Sequence, residues 1–214
     1  MKNENAMYAL SYGLFVLTAR QGKQDNGCII NTVGQVTITP NRVTVAVDKG
    51  NLTHDMIAAT GDFTVSILSE EAGFDLFRRF GFQSGRKVDK FSGFDGAKRG
   101  DNGILYVTEG TNAWISCKVV SQTDLGTHTL FLADVTDGDM LSRAPSLTYA
   151  YYHAHIKPKP QAPKAPSEKK RWVCKVCGYV HEGPLPAGMR IYLRGRISAG
   201  GLHLPHLQAP GLRF

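Results

Sequence analysis

With 214 residues, 42% of them hydrophobic, the chain has room for one domain of ordinary size and a small appendage. Its net charge of +7 is uneven, because residues 1–156 are close to neutral and only Glu168 and Glu182 are acidic after Ile156. A basic tail of this kind is typical of solubility or of docking to an acidic protein, and it argues against a nucleic-acid-binding protein, whose basic residues cluster on a folded face.

The sequence predicts a cytoplasmic protein that does not act in a membrane. No apolar run reaches membrane-spanning length, and the first ten residues, MKNENAMYAL, lack a secretory-signal pattern. Four cysteines do not form the framework of a disulfide-rich domain. Two of them, Cys174 and Cys177, form a C-x-x-C motif, which in a cytoplasmic protein indicates metal or redox chemistry.

The first 68 residues predict a β-rich domain. Asn26-Gly27 is a strong turn dipeptide, and Pro40-Asn41 separates two runs of alternating or β-branched residues. Thr53 is a candidate N-cap for a helix that Gly61 ends. Strands are predicted from the apolar stretch Tyr8–Thr18 and at Val33–Thr39, Val43–Val47 and Phe63–Leu68, with a hairpin loop at Gln21–Asn26 and a helix at His54–Thr60.

The second part of the domain continues this pattern. Ser69–Phe80 has acidic residues early and arginines late, an order that suits a helix dipole. Residues 81–100 contain five glycines and are predicted to form a long loop region. Strands are predicted after it at Leu105–Val107, Ala113–Gln122 and Thr129–Asp137. The fold class predicted is mainly β, an antiparallel barrel with short helices. A Rossmann domain is not expected, because no G-x-G-x-x-G opens a helix after a strand.

Polar residues crowd the ends of the early strands. The stretch after Val47 brings Lys49, Asn51, Thr53 and His54 close together in the sequence. If the strands pair, these side chains could converge with Asn31 and Thr32 on one anionic ligand. In the alternative interpretation the Asn and Thr residues of an ordinary barrel serve turns, and His54 caps a helix.

Four motifs in this order carry a family resemblance. They are NGCIINT (26–32), KGNLTH (49–54), FGFQSGRKVDKF (80–91) and GTHTLFLADV (126–135). Residues 5–155 thereby resemble the flavin-reductase family of FMN-binding split barrels. The resemblance implies FMN as cofactor, NAD(P)H as electron donor and a homodimer with FMN near its interface.

The resemblance also implies the cofactor-binding residues. Main-chain groups along Cys28, Ile29, Ile30 and Asn31 would follow the isoalloxazine ring, with Cys28 a packed small side chain rather than a nucleophile. Donors for the phosphate would come from Thr32, Lys49, Thr53 and the amides near Ser84 and Gly85. Lys90 lies by the phosphate or, as a lone loop lysine, is solvated surface.

Three further residues are candidates at the ring. His128 either faces the ring or the incoming hydride donor as the catalytic residue, or is an ordinary strand histidine at the barrel mouth. Tyr152 and His153, near the end of the domain, would cover the ring from the second subunit. The predicted domain spans residues 1–156.

A linker and a second module follow. Residues 157–170 alternate proline with Lys, Gln and Ala and would span roughly 40 Å as an extended, semi-rigid segment. RWVCKVCGYVHEG (171–183) resembles the first metal-binding knuckle of rubredoxin, in which Cys174 and Cys177 are iron ligands. Rubredoxin needs a second C-x-x-C, which residues 178–214 lack, so the module 171–214 is predicted to be incomplete and its iron site under-ligated.

The tail offers a specific explanation for the missing pair. The stretch GLHLPHLQAP (201–210) can be encoded so that a shift of one base gives DFICPICKH, a good second rubredoxin knuckle. We hypothesise that the tail comes from a frameshift. Iron is then expected only if the second cysteine pair is restored.

The sequence is compatible with two functions of different classes. The first is an FMN-dependent oxidoreductase similar to high-molecular-weight rubredoxins, which takes electrons from NAD(P)H and passes them through the rubredoxin module to a flavodiiron protein that reduces oxygen or nitric oxide. The second is an FMN-binding electron carrier or flavin-storage module without nicotinamide turnover. A zinc-knuckle binding protein is disfavoured by the single C-x-x-C and the near-neutral main domain.

Overall fold

The chain divides into two units, Met1–Pro158 and Lys159–Phe214. A computed structural model describes residues 4–158, 171–173 and 180–182. In the second unit it describes one antiparallel pair of strands, β10 (Arg171–Val173) and β11 (Val180–Glu182). The predicted metal ligands Cys174 and Cys177, residues 159–170 of the predicted linker and the tail lie outside the described residues.

Seven strands of the first unit form one antiparallel sheet in the order β2-β1-β5-β8-β9-β4-β3. They are β1 (Phe15–Gln21), β2 (Gln24–Ile30), β3 (Gly34–Thr37), β4 (Arg42–Asp48), β5 (Asp62–Leu68), β8 (Thr111–Asp124) and β9 (His128–Met140). Two short strands, β6 (Ala97–Arg99) and β7 (Leu105–Val107), pair with each other. The helices are a 3-10 turn Glu4–Ala9, α1 (Leu52–Thr60), α2 (Phe74–Gly81) and α3 (Tyr149–Tyr151), which continues as a π-helical turn Tyr152–Ile156.

Two hydrophobic clusters form the core. Strand alternation produces the first, since Val43, Val45 and Val47 of β4 all point inward and pack with α1 and the central strands. The second cluster gathers α2, the loop that follows it and Tyr152. The amphipathic helix α2 buries Leu76, Phe77 and Phe80. Its Arg78 is exposed, whereas Arg79 is half-buried and donates to main-chain carbonyls of the following loop.

The mainly β fold and all seven predicted strand regions are confirmed, with shifts at their ends. The hairpin between β1 and β2 is tighter than predicted, because Gly22 adopts a left-handed conformation (φ 61°) in the turn. β1 begins only at Phe15, since the residues before it make main-chain contacts with the segment around Thr148. Gly61 ends α1 at φ 75°, as predicted.

Three helix and strand predictions need correction. The N-cap of α1 is Asn51, not Thr53, which lies inside the first turn and is buried. The predicted helix Ser69–Phe80 begins only at Phe74, because the backbone of Ser69 pairs with Gly110 and Ser146 and so cannot be helical. Strand β6 inside the glycine-rich segment was not predicted, since three residues are too few to show a period.

A membrane-crossing helix would need to be longer and more apolar than any helix that the structure describes.

Candidate functional site

The polar residues after β2 and β4 meet the start of β9 at one end of the sheet. Asp48 pairs with His128 across β4 and β9, and the Lys49 amide donates to Thr127 O at 3.0 Å. Beside them the Thr32 hydroxyl donates to Ala46 O at 2.7 Å. We call Thr32, Lys49, Asn51, His54 and His128 the strand-end group. The structure thus brings together five of the predicted site residues.

The N-terminus of α1 opens into this group. Asn51 is extended at φ −79° and ψ 135°, and its side chain makes no capping hydrogen bond. The first amides of a helix have no intrahelical partner and carry the positive end of its dipole. The amides of Leu52 and Thr53 therefore point outward from a nine-residue helix toward any anion held by the strand-end group.

Lys49 is held in an ion pair that an anionic ligand can replace. Its Nζ lies 2.7 Å from Asp124 Oδ1, and the two side chains are 37% and 72% exposed. Lys49 and the Gly126 amide lower the pKa of Asp124, so the carboxylate is ionised at neutral pH. Because exposed ion pairs contribute little to stability, Lys49 can exchange Asp124 for a phosphate at small cost.

His54 is fixed by its neighbours rather than exposed to a ligand. The Asp55 carboxylate can only accept, so His54 Nδ1–H donates to it at 3.0 Å. The other ring nitrogen, Nε2, lies 2.8 Å from Thr129 Oγ1. Arg86 donates to the second oxygen of Asp55 at 2.6 Å, and His54 and Arg86 together lower the Asp55 pKa. The alternative in which His54 caps a helix is wrong, because the N-cap is Asn51.

A second, buried group lies between β2, α1 and the loop after α2. Asn26 Nδ2 donates to Thr53 Oγ1 at 2.9 Å, and both side chains are buried. Lys90 is 3% exposed, and its Nζ donates to Gly27 O at 2.8 Å and Phe80 O at 3.0 Å. Burial raises the pKa of the neighbouring Cys28 thiol, which supports its role as a packed side chain rather than a nucleophile.

Two site predictions are corrected by this buried group. Lys90 is neither a solvated surface lysine nor placed to bind a phosphate, because its ammonium already donates to two main-chain carbonyls in the interior. The Thr53 side chain is fully buried, and its hydroxyl accepts from Asn26 inside the protein, so in this structure the side chain does not face a ligand. The Thr53 side chain links α1 to β2, and the Lys90 side chain links the loop to β2 and α2.

The loop that carries Ser84 and Gly85 sits directly on this buried group. A Cβ on Gly85 would overlap the Asn26 side-chain amide, so glycine is required by the close approach. Ser84 O accepts from the amides of Lys87 and Val88 at 2.9 and 3.1 Å, and the loop turns back on itself. Arg86 then ties the loop to α1 through Asp55.

The remaining predicted residues lie elsewhere. Tyr152 is buried against Phe77, with ring centroids 4.4 Å apart, and Ile29 packs on the same hydrophobic cluster. His153 is exposed, and its ring lies tilted by 58° against that of Tyr149, with ring centroids 4.5 Å apart. Ile30 belongs to the first core cluster, and Asn31 is half-buried just after β2. None of these residues makes a side-chain hydrogen bond to the strand-end group in the part of the chain that the structure describes.

Several residues that shape the site were not predicted. Asn26 was interpreted only as a turn residue, and Asp55, Arg86, Asp124 and Thr129 were not selected. Apart from the contact of Asp55 with the adjacent His54, their partners are 27 to 75 residues away in the chain, as for Asn26 with Thr53 and Lys49 with Asp124. No local pattern in a single sequence reveals such pairs. Within residues 4–158, 171–173 and 180–182, no cluster of three or more His, Cys, Asp or Glu residues could hold a metal ion.

The chain resembles known proteins in sequence and in fold. Residues 7–159 match the family described as the flavin reductase like domain. High molecular weight rubredoxin of Moorella thermoacetica is 36% identical over 189 residues, covering 83% of this chain and 82% of that one. Ferric-chelate reductase (NAD(P)H) of Archaeoglobus fulgidus is 40% identical over 154 residues, covering 72% and 90%.

The chain is also similar in sequence to one part of a longer protein, and its fold is similar to that of a solved structure. Diflavin flavoprotein A 1 of Synechocystis is 27% identical over 153 residues, which are 72% of this chain but 26% of that one. The structure of the NADH:FAD oxidoreductase SgcE6 of Streptomyces globisporus superposes with a TM-score of 0.60 at 23% identity, covering 67% of this chain and 84% of that one.

The chain belongs to the flavin reductase-like family. This confirms the predicted family, the split-barrel fold and the flavin reductase type of enzyme, with a flavin as cofactor. The donor set fits such a group, because the uncapped α1 N-terminus and the exchangeable Lys49 suit a phosphate. The assignment of individual residues to the cofactor stays a prediction.

Proposed function

We propose that this protein is an FMN-dependent oxidoreductase that takes electrons from NAD(P)H and passes them to a redox partner. The observation that carries the proposal is the convergence of the strand-end group on the uncapped N-terminus of α1. FMN supplies the chemistry of accepting two electrons together and releasing them singly. This chain supplies the binding and the orientation of that group.

Three members of the strand-end group, Thr32, Lys49 and Asn51, would hold the phosphate end of the cofactor with the N-terminus of α1. The amides of Leu52 and Thr53 and the ammonium of Lys49 are the donors, and the Asn51 side chain can add a hydrogen bond. The Thr32 hydroxyl has to turn from Ala46 O to contribute. The main chain of Cys28 to Asn31 would follow the ring, with Ser84 and Gly85 closing the far side.

His128 is the candidate residue beside the reacting part of the flavin. It is half-buried at the start of β9, and its Nδ1 lies 2.9 Å from Thr127 Oγ1. That contact orients the imidazole at the edge where Lys49 meets β9. There the ring could orient the incoming nicotinamide, whose hydride must approach the flavin from outside the barrel.

Removing the Lys49 ammonium is expected to weaken flavin retention. Lys49→Ala should lose one charge-assisted phosphate contact, about 1.5–3 kcal/mol of binding free energy, and Thr32→Val should weaken binding in the same direction. Flavin titration followed by fluorescence quenching measures both, with Lys118→Ala, an exposed lysine of β8, as control. Unchanged flavin affinity in both variants would place the phosphate elsewhere.

Anaerobic mixing with reduced nicotinamide separates the proposal from its alternative. An oxidoreductase loses its flavin absorption when NADH or NADPH is added, whereas an electron-carrier or flavin-storage module keeps it. The cofactor released on denaturation should be FMN. Release of FAD would contradict this part of the proposal.

The proposed partner is a flavodiiron-type protein, reached through the rubredoxin module. One relative is called a high molecular weight rubredoxin, and the similar part of another lies within a much longer diflavin flavoprotein. A domain found fused in one chain often binds its counterpart when the two are separate chains. We also propose a homodimer in which the exposed His153 reaches the flavin of the second subunit, while the buried Tyr152 packs against His153 and supports it.

A further inference from the structure

A cavity of about 530 Å³ lies beside the loop after α2, outside the strand-end group. This volume is in the range of small-molecule and cofactor sites. Its walls come from the β1–β2 hairpin and from the loop. They are formed by Lys23, Gln24, Asp25, Gly85, Arg86, Lys87, Val88, Asp89 and Phe91.

The charges around the cavity leave two ammonium groups without a carboxylate. Asp25 forms a bidentate ion pair with Arg99, with hydrogen bonds of 3.0 and 2.9 Å. Arg86 is paired with Asp55 at 2.6 Å. In the residues that the structure describes, no carboxylate oxygen lies within 4.0 Å of the Lys23 or Lys87 ammonium.

The acidic residue of the loop is turned toward the main chain. Asp89 Oδ1 accepts from the amides of Phe91 and Ser92 at 2.9 and 3.3 Å. Its charge is thereby engaged in shaping the turn. The cavity as a whole favours an anion, and it does so through Lys23 and Lys87.

One wall of the cavity is apolar. Val88 is 43% exposed, and Phe91 is half-buried against Phe80 and Phe94, with ring centroids 5.3 and 6.3 Å away. A fixed aromatic ring beside two ammonium groups suits a ligand with a planar base and a phosphate.

The cavity is close to the proposed flavin site. Gly85 lines the cavity and also contacts Asn26, which holds Thr53 in the first turn of α1. Arg86, from the same loop, is bonded to Asp55 of that turn. The loop with Gly85 and Arg86 thus lies between the cavity and the N-terminus of α1. A ligand in the cavity would therefore be a second molecule, next to the proposed flavin phosphate and separate from it.

We propose that this cavity binds the adenosine half of NADPH, with the 2′-phosphate between Lys23 and Lys87 and the base against Val88 and Phe91. A phosphate monoester carries close to two negative charges at pH 7, which two ammonium groups match. NADH lacks this phosphate, so the cavity would make the enzyme prefer NADPH. The inference rests on the proposed function and extends it to the choice of donor.

The test reverses both charges in the full-length, FMN-loaded protein. Lys23→Glu with Lys87→Glu is expected to raise KM for NADPH by at least about tenfold, because charge-assisted phosphate contacts are lost. KM for NADH should stay within about twofold, since that donor makes no 2′-phosphate contact. The matched control is Lys98→Glu with Lys118→Glu, which changes the net charge equally at two exposed lysines outside the cavity.

A binding measurement keeps the test independent of turnover. Calorimetry with 2′,5′-ADP should show binding to the wild type and to the control, and loss of binding in the Lys23/Lys87 variant. An NADPH to NADH preference that is the same in all three proteins, or 2′,5′-ADP binding that survives the double reversal, would overturn the inference. If neither NADH nor NADPH reduces the flavin, the proposed function fails, and 2′,5′-ADP binding still decides whether the cavity is the site.

Discussion

Replacing Lys90 by methionine is expected to lower the free energy of unfolding of the first unit by about 2–4 kcal/mol. Methionine fills similar volume but cannot donate, so the buried carbonyls of Gly27 and Phe80 lose their shared partner. Thermal unfolding should shift down by roughly 5–15 °C for a unit of this size. Calorimetry or circular dichroism measures the change, with Lys98→Met, an exposed lysine, as control.

The same substitution should change how stability depends on pH. Burial lowers the pKa of Lys90 in the folded protein, so the unfolded chain keeps this proton to higher pH. Between the folded pKa and the unfolded value of 10.5, unfolding takes up a proton, and the stability contributed by Lys90 rises with pH. The stability difference between wild type and Lys90→Met should therefore widen as pH rises through that window. A constant difference there would mean that Lys90 is not desolvated as the structure shows.

Restoring a second cysteine pair in the tail is expected to create an iron site. The chain as written supplies two thiolates, Cys174 and Cys177, where rubredoxin-type iron needs four. It should bind no rubredoxin-type iron, whereas a protein with the shifted frame DFICPICKH near Leu204 should bind about one iron per chain. The readout is the red ferric-thiolate chromophore together with iron analysis of the purified protein.

A truncation after Pro166 is the control for this experiment. It should keep flavin binding and the reduction of small acceptors, because the strand-end group and both core clusters lie before residue 158. Electron transfer from flavin to iron should appear only in the restored protein. The hypothesis about the tail fails if the DNA in the shifted frame encodes no cysteines, or if the chain as written already binds iron through four sulfur ligands.

Much of the fold was predictable because it follows from local patterns. Alternation in Val43–Val47 and the left-handed Gly61 each depend on a few neighbouring residues. Local patterns also located the strand-end group, since Lys49, Asn51 and His54 are close in the sequence. The predicted N-cap, Thr53, is two residues from the observed one, Asn51, because both residue types are good caps. In the folded chain Thr53 is buried in the first turn of α1, where its hydroxyl accepts from Asn26.

The roles of the buried residues depend on distant contacts and could not be predicted. Lys90 in a glycine-rich segment has the sequence context of a surface residue, yet its acceptors are 63 and 10 residues away. The Arg86–Asp55–His54–Thr129 connection joins a loop, a helix and a strand whose proximity only the folded chain provides. A single sequence contains no signal for such connections.

The side-chain contacts from Arg86 through Asp55 and His54 to Thr129 affect local opening of the domain. The loop, the first turn of α1 and the start of β9 are cross-linked by side chains, and the loop rests on Asn26 through Gly85. We expect these contacts to couple the three segments, so that they open together more often than one at a time. Cofactor exchange would then proceed at the rate at which this whole corner of the barrel opens, and not at the faster rate of an isolated surface loop.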